Sequence, residues 1–73
     1  MKYETVKDLS DFERKLITIV QHYNQEHRSP GVSTLKSKTG HNENDIIKTI
    51  RTLIIRNWLV VHNKKLMVRE RIF

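Results

Sequence analysis

The chemistry this chain can offer is carried by cations and amides. Of its 73 residues, 14 are Lys or Arg and 8 are Asp or Glu, a formal net charge of +6. The excess is uneven. Residues 1–26 hold four bases and five acids, whereas residues 27–73 hold ten bases and three acids, net +7. The later bases fall in small groups: Arg28 with Lys36 and Lys38, then Lys48 with Arg51, then Lys64 and Lys65 beside Asn63. Arg presents a planar fork of donors, Lys a mobile point charge, and Asn a donor beside an acceptor. Such groups suit a polyanion partner. A generically basic, solvated surface fits the same composition.

Other chemistries lack their parts. With no Cys there is neither a disulfide framework nor a thiol nucleophile. His22 and His27 are five apart, which does not share one helical face, and His41 and His62 are isolated, so no metal site is expected. Gly31 and Gly40 cannot make a glycine-rich phosphate loop, and no spacing of Ser, His and acid sets up a triad. The chain is therefore not expected to be an enzyme, to have catalytic residues, or to need a cofactor. Its longest apolar runs, Leu53-Ile54-Ile55 and Leu59-Val60-Val61, fall far below the roughly 18 residues of a membrane span. The start Met-Lys-Tyr-Glu-Thr has no apolar signal region, and a cytoplasmic domain without membrane contact is expected.

Helices and one hairpin must position these groups. Residues 1–9 form a lead-in with Tyr3, Val6 and Leu9 as apolar points. Ser10-Asp11-Phe12-Glu13 fits a capping box. Behind it Phe12, Leu16, Ile19, Val20 and Tyr23 mark one face of a first helix running to about Asn24, with Ile17 off the stripe. Residues 24–31 end in Pro30-Gly31 and read as a loop. Ser33 or Thr34 can cap a short second helix over 34–39, with Leu35 inward and Gly40 ending it. Asn42 can cap a third helix, with Glu43 and Asp45 suiting the positive end of its dipole. Ile46, Ile50, Leu53 and Ile54 share its inner face. Asn44, Lys48, Arg51, Thr52 and Ile55 fall opposite, and Asn57 can end it in the left-handed conformation. The period then changes. Leu59 to His62 and Lys65 to Arg69 read as two strands about Asn63-Lys64, pairing Val61 with Leu66 and Leu59 with Val68.

The order of three helices and a C-terminal β-hairpin, mainly α, resembles the winged helix-turn-helix family. The residues carrying the resemblance are Leu35-x4-Gly40 and Ile46-x3-Ile50-x2-Leu53-x3-Asn57-Trp58-Leu59. Helix 1 with its Pro-containing loop is similar to the DNA-reading domain of the SOS-response repressor type. The likeness covers about residues 10–69, leaving 1–9 as a lead-in and 70–73 as a tail. It implies that helix 3, about 43–57, enters the major groove of double-stranded DNA, while the hairpin, about 59–69, touches backbone or minor groove. Asn44, Lys48, Arg51 and Thr52 would then read bases. Arg51 offers a fork for guanine O6 and N7, and Asn44 a matched pair for adenine. Arg28, Lys36, Lys38, Asn63, Lys64 and Lys65 would meet the backbone, supplying affinity without sequence choice.

Two functions follow. One is a small DNA-binding regulator: a transcriptional repressor or activator, or an accessory factor in recombination or replication, nucleoid-associated within the cytoplasm. The other is a winged-helix module that binds a protein partner without touching DNA. Ile55, Ile17, the Tyr3/Val6/Leu9 lead-in and Ile72-Phe73 favour the second, as apolar points without an evident core seat. The lead-in, helix 1 or the tail can instead join two copies, and a homodimer is expected.

Overall fold

The computed structural model describes residues 6–69. A 3-10 turn, Val6–Asp8, leads into helix α1, Asp11–Gln25. Helices α2, Val32–Thr39, and α3, Glu43–Ile55, follow, then strands β1, Leu59–His62, and β2, Lys65–Val68. The two strands form an antiparallel hairpin pairing Leu59 with Val68, Val60 with Met67, Val61 with Leu66 and His62 with Lys65. Three helices followed by a hairpin is a layout consistent with a winged helix.

Helices α1 and α3 start and stop where their local chemistry says they should. At α1 the capping box is complete: the Glu13 N–H donates to Ser10 Oγ at 3.1 Å, and the Ser10 N–H donates to Glu13 Oε1 at 2.8 Å. Asn42 caps α3 by accepting from the Asp45 N–H at 2.9 Å. Helix α3 ends in a Schellman motif around Asn57, φ +66°: the Asn57 N–H bonds the Ile54 carbonyl at 3.1 Å and the Trp58 N–H bonds that of Leu53 at 2.8 Å. The same motif closes α1, with His27 at φ +60° and the Arg28 N–H reaching the Tyr23 carbonyl at 2.8 Å. Gly40, at φ +75°, turns α2 toward α3.

Helix α2 begins earlier than its sequence implies. Gly31 is its N-cap, not Ser33 or Thr34, and the Leu35 N–H already bonds the Gly31 carbonyl at 3.1 Å. The reason lies in packing. Val32 and Leu35, one turn apart, both face the core, and Pro30 is buried just before them. Packing Val32 against the core rewards two more residues at the front of the helix.

The core draws on every helix and on β1. Leu16, Val20, Leu35, Ile46, Leu53 and Leu59 are buried, with Phe12, Ile19, Ile50, Ile54, Leu66 and Val68 packed around them. Three further residues complete it. Ile17, off the α1 stripe, is buried because α1 packs against β2 as well as α2, so its inner face is wider than one neighbour requires. Leu9 is buried too, and Trp58 seals the junction of α3 and β1. Neither Leu9 nor Ile17 is thus available to a partner. Tyr3, Ile72 and Phe73, with the rest of segments 1–5 and 70–73, lie outside the described residues.

The hairpin is stitched to the body along β2. The Asn24 side-chain amide accepts from the Val68 N–H at 2.9 Å and donates to the Leu66 carbonyl at 3.1 Å. Ser29 Oγ accepts from the Leu66 N–H at 2.8 Å. Two side chains thus stand in for a third strand and cover an edge that would otherwise invite pairing with another chain. At the tip both Asn63, φ +51°, and Lys64, φ +64°, are left-handed, as a type I′ turn demands.

Candidate nucleic-acid interface

The outward face of α3 follows from its inward one. With Ile46 and Leu53 buried, the helical period turns Asn44, Lys48, Arg51 and Thr52 to solvent, and all four are exposed. Charge is graded along this face. Glu43 and Asp45 occupy the first turn, where the helix dipole favours acids, and Lys48 and Arg51 follow. Among the described residues neither Lys48 nor Arg51 has an ion pair. Thr52 differs from its neighbours, because its hydroxyl donates back to the Lys48 carbonyl at 3.0 Å. Its methyl group and a lone pair remain to face outward. Ile55 ends the row at 80% exposure.

Arg56, one residue on, was not distinguished from these by its sequence, and its role is opposite. Its side chain is 25% exposed and forks inward, Nη1 to Glu13 Oε2 at 2.8 Å and Nη2 to the Asp8 carbonyl at 3.0 Å. It locks the C-terminus of α3 to the capping box of α1. Burial acts against the charge on Glu13, but the Ser10 N–H and hydroxyl and the Arg56 guanidinium together hold its carboxyl below the usual 4.5.

The remaining cations fall into separate places. Lys36 and Lys38 are both exposed on α2, but two positions apart on a helix do not share a side. Lys38 turns toward α1, its Nζ 5.9 Å from the centre of the Tyr23 ring. Arg28 lies over the same ring at 4.9 Å and pairs with Glu26 at 2.5 Å. Hydrogen bonding and the charge of Arg28 lower the Glu26 carboxyl in turn. The Arg28 cation is therefore already matched by an acid. Asn63, Lys64 and Lys65 are exposed at the hairpin tip.

The structure brings Arg28, Asn63 and Lys65 together around a shallow cavity of about 270 Å³, which Asn24, His27, His62 and Met67 also line. No local pattern announces this meeting, since His27 and His62 stand far apart in the chain. Another histidine, His41 in the turn before α3, stacks on Phe12 of α1 with ring centres 3.8 Å apart. Among the described residues no group of three His, Cys, Asp or Glu side chains is placed to hold a metal, and no helix is long and apolar enough to cross a membrane.

Comparison of the chain with protein-family models, with curated proteins and with solved structures finds no match.

Proposed function

We propose that this chain is a small DNA-binding regulator that reads the major groove with α3 and touches backbone or minor groove with its hairpin. The observation that carries this is the exposed row Asn44, Lys48, Arg51, Thr52 on α3, whose two cations have no ion pair among the described residues. A helix of 13 residues is about 20 Å long and fits a major groove about 12 Å wide. Arg51 and Asn44 supply the bidentate donors and acceptors that base edges match. The acidic first turn flanks Asn44 and leaves the cationic contacts to the middle and C-terminal turns. Lys64 adds support from the tip. It occupies a left-handed position where Gly would be easier, which is a cost of about 1–2 kcal/mol for an L-residue. A cation retained there suits phosphate contact. Action on transcription, recombination or replication would follow from occupying a site or recruiting a protein to it.

The test is binding of a fluorescent mixed-sequence duplex by the chain and by its Lys48→Ala/Arg51→Ala double variant. Loss of affinity in the variant, with the fold intact by circular dichroism, is expected. Equal affinity of the two proteins removes α3 as the contact.

A second reading has its own observation. Ile55 is 80% exposed and Val61 on β1 is 56% exposed, apolar side chains suited to a protein partner of a winged-helix interaction module. If the chain serves only a protein partner, neither it nor the Lys48→Ala/Arg51→Ala variant should bind the duplex.

A further inference from the structure

Ile55 ends α3 at a place where helix energetics favour another residue. It is 80% exposed, and no base occupies the last turn of α3. The negative end of a helix dipole favours a cation there, and a β-branched side chain loses rotamer freedom on a helix. We propose that Ile55 reads the C5-methyl group of a thymine in the major groove, so that the chain prefers duplexes with a thymine one or two base pairs from a guanine. The proposal rests on the reading of α3 as the groove helix and names what that helix selects.

The outward face of α3 changes character along its length. Asn44, Lys48 and Arg51 present polar or cationic groups to solvent. Past Arg51 the face turns apolar. The Thr52 hydroxyl donates its proton to the Lys48 carbonyl at 3.0 Å and has none to offer a base, so its methyl group lies beside Ile55. Arg56 is turned inward onto Glu13 and the Asp8 carbonyl. At about 100° per residue, Ile55 falls between Arg51 and Thr52, about 40° from one and about 60° from the other. It stands about 6 Å beyond Arg51 along the helix axis, against a base-pair rise of about 3.4 Å. An Arg51 fork on guanine O6 and N7 therefore sets Ile55 one or two base pairs away.

Charge complementarity decides what covers Ile55. Lys48 and Arg51 share its face, exposed and without an ion pair among the described residues, and they suit a polyanion. Among the groups that base pairs present in the major groove, the thymine C5-methyl is the apolar one, and an aliphatic side chain is its match. A 5-methylcytosine carries the same methyl, and the neighbours of Ile55 choose between the two. Lys and Arg side chains only donate. Thymine sets its O4 acceptor beside the methyl, whereas cytosine sets an N4 amino donor there, which would face donors with a donor.

Uracil is thymine without the methyl and keeps its base pairing, so it isolates this contact. Duplexes are enriched from a random-sequence pool by the full chain, and the tightest is remade with uracil at each thymine in turn. Affinities are read by fluorescence competition. Expected is one thymine per bound chain, one or two base pairs from a guanine, where uracil weakens binding by about fourfold, the worth of one buried methyl group. Ile55→Ala changes an exposed side chain outside the core and should abolish that preference for thymine over uracil. Lys64→Ala at the hairpin tip should weaken both duplexes alike and keep the preference. Thymine and uracil bound equally at every position, or an Ile55→Ala variant that keeps the preference, would overturn the proposal and leave α3 standing as the groove helix. A 5-methylcytosine·guanine pair bound as tightly at the sensitive position would overturn thymine as the occupant. Enrichment of no duplex even at low salt would overturn the groove reading and the proposal together.

Discussion

Arg51 and Arg56 lie five residues apart on one helix and have different work. Arg51 is exposed with no ion pair among the described residues, whereas Arg56 is folded inward onto Glu13 and the Asp8 carbonyl. If Arg51 reads a base edge, Arg51→Ala should cost about 1–3 kcal/mol on the preferred site and little on random duplex, measured by competition. Arg56→Ala should instead cost about 2 kcal/mol of folding stability in a urea titration, through lost charge-assisted hydrogen bonds. The Glu13 end of this pair sets a pH dependence. Its carboxyl titrates below 4.5 in the folded chain, so its contribution is full above that value and is lost as pH falls through the lowered one. The stability gap between the chain and its Glu13→Gln variant should therefore shrink on acidification below about pH 4.5 and stay flat from there to neutrality. A gap that widens in acid would contradict the assignment. At this scale the sequence was readable where the cause was local. The outward placement of Asn44, Lys48, Arg51, Thr52 and Ile55 follows from helical period alone. The inward turn of Arg56 did not, because its partners belong to α1 and to the 3-10 turn before it.

Among the elements, the hairpin carries the clearest conflict between stability and use. Its strands and register are legible from alternation and from the Asn63-Lys64 pair; the register matches pair for pair, and β2 ends at Val68, one residue before the expected Arg69. What could not be read is how the hairpin is held, because Asn24 and Ser29 pair with a strand about forty positions later. Lys64 at φ +64° should be a strained choice. Lys64→Gly should raise folding stability by about 1 kcal/mol. It should also weaken duplex binding and flatten its salt slope by about one unit, if the lysine meets a phosphate. A variant that gains stability and keeps its affinity would show that the lysine merely protects the tip. In the core, Leu53 is buried on α3 opposite the exposed row, so Leu53→Ala should cost about 2–5 kcal/mol in the same urea assay. Helix α1 shows the limit of periodicity. Its stripe identified Leu16 and Val20, but Ile17 and Leu9 needed knowledge that α1 has two packing neighbours and that Leu9 is buried in the core.

At the scale of the whole molecule, charge and symmetry decide what the surface is for. The segment 27–73 is net +7; α3 itself is net zero, with Lys48 and Arg51 offset by Glu43 and Asp45, and the hairpin carries Lys64 and Lys65. A two-fold pair of chains would cover two half-sites, and light scattering of the proposed homodimer should give about twice the 8.8 kDa of one chain. A single-chain mass at high concentration would reject that pairing while leaving the contact surface intact. That surface is tested most directly by the salt dependence of binding to a mixed-sequence duplex. For about five phosphate contacts, log affinity should fall against log salt with a slope near −4.5, several-hundred-fold between roughly 50 and 200 mM. A slope near zero, or no binding at low salt, would mean that the basic face of this chain does not meet DNA.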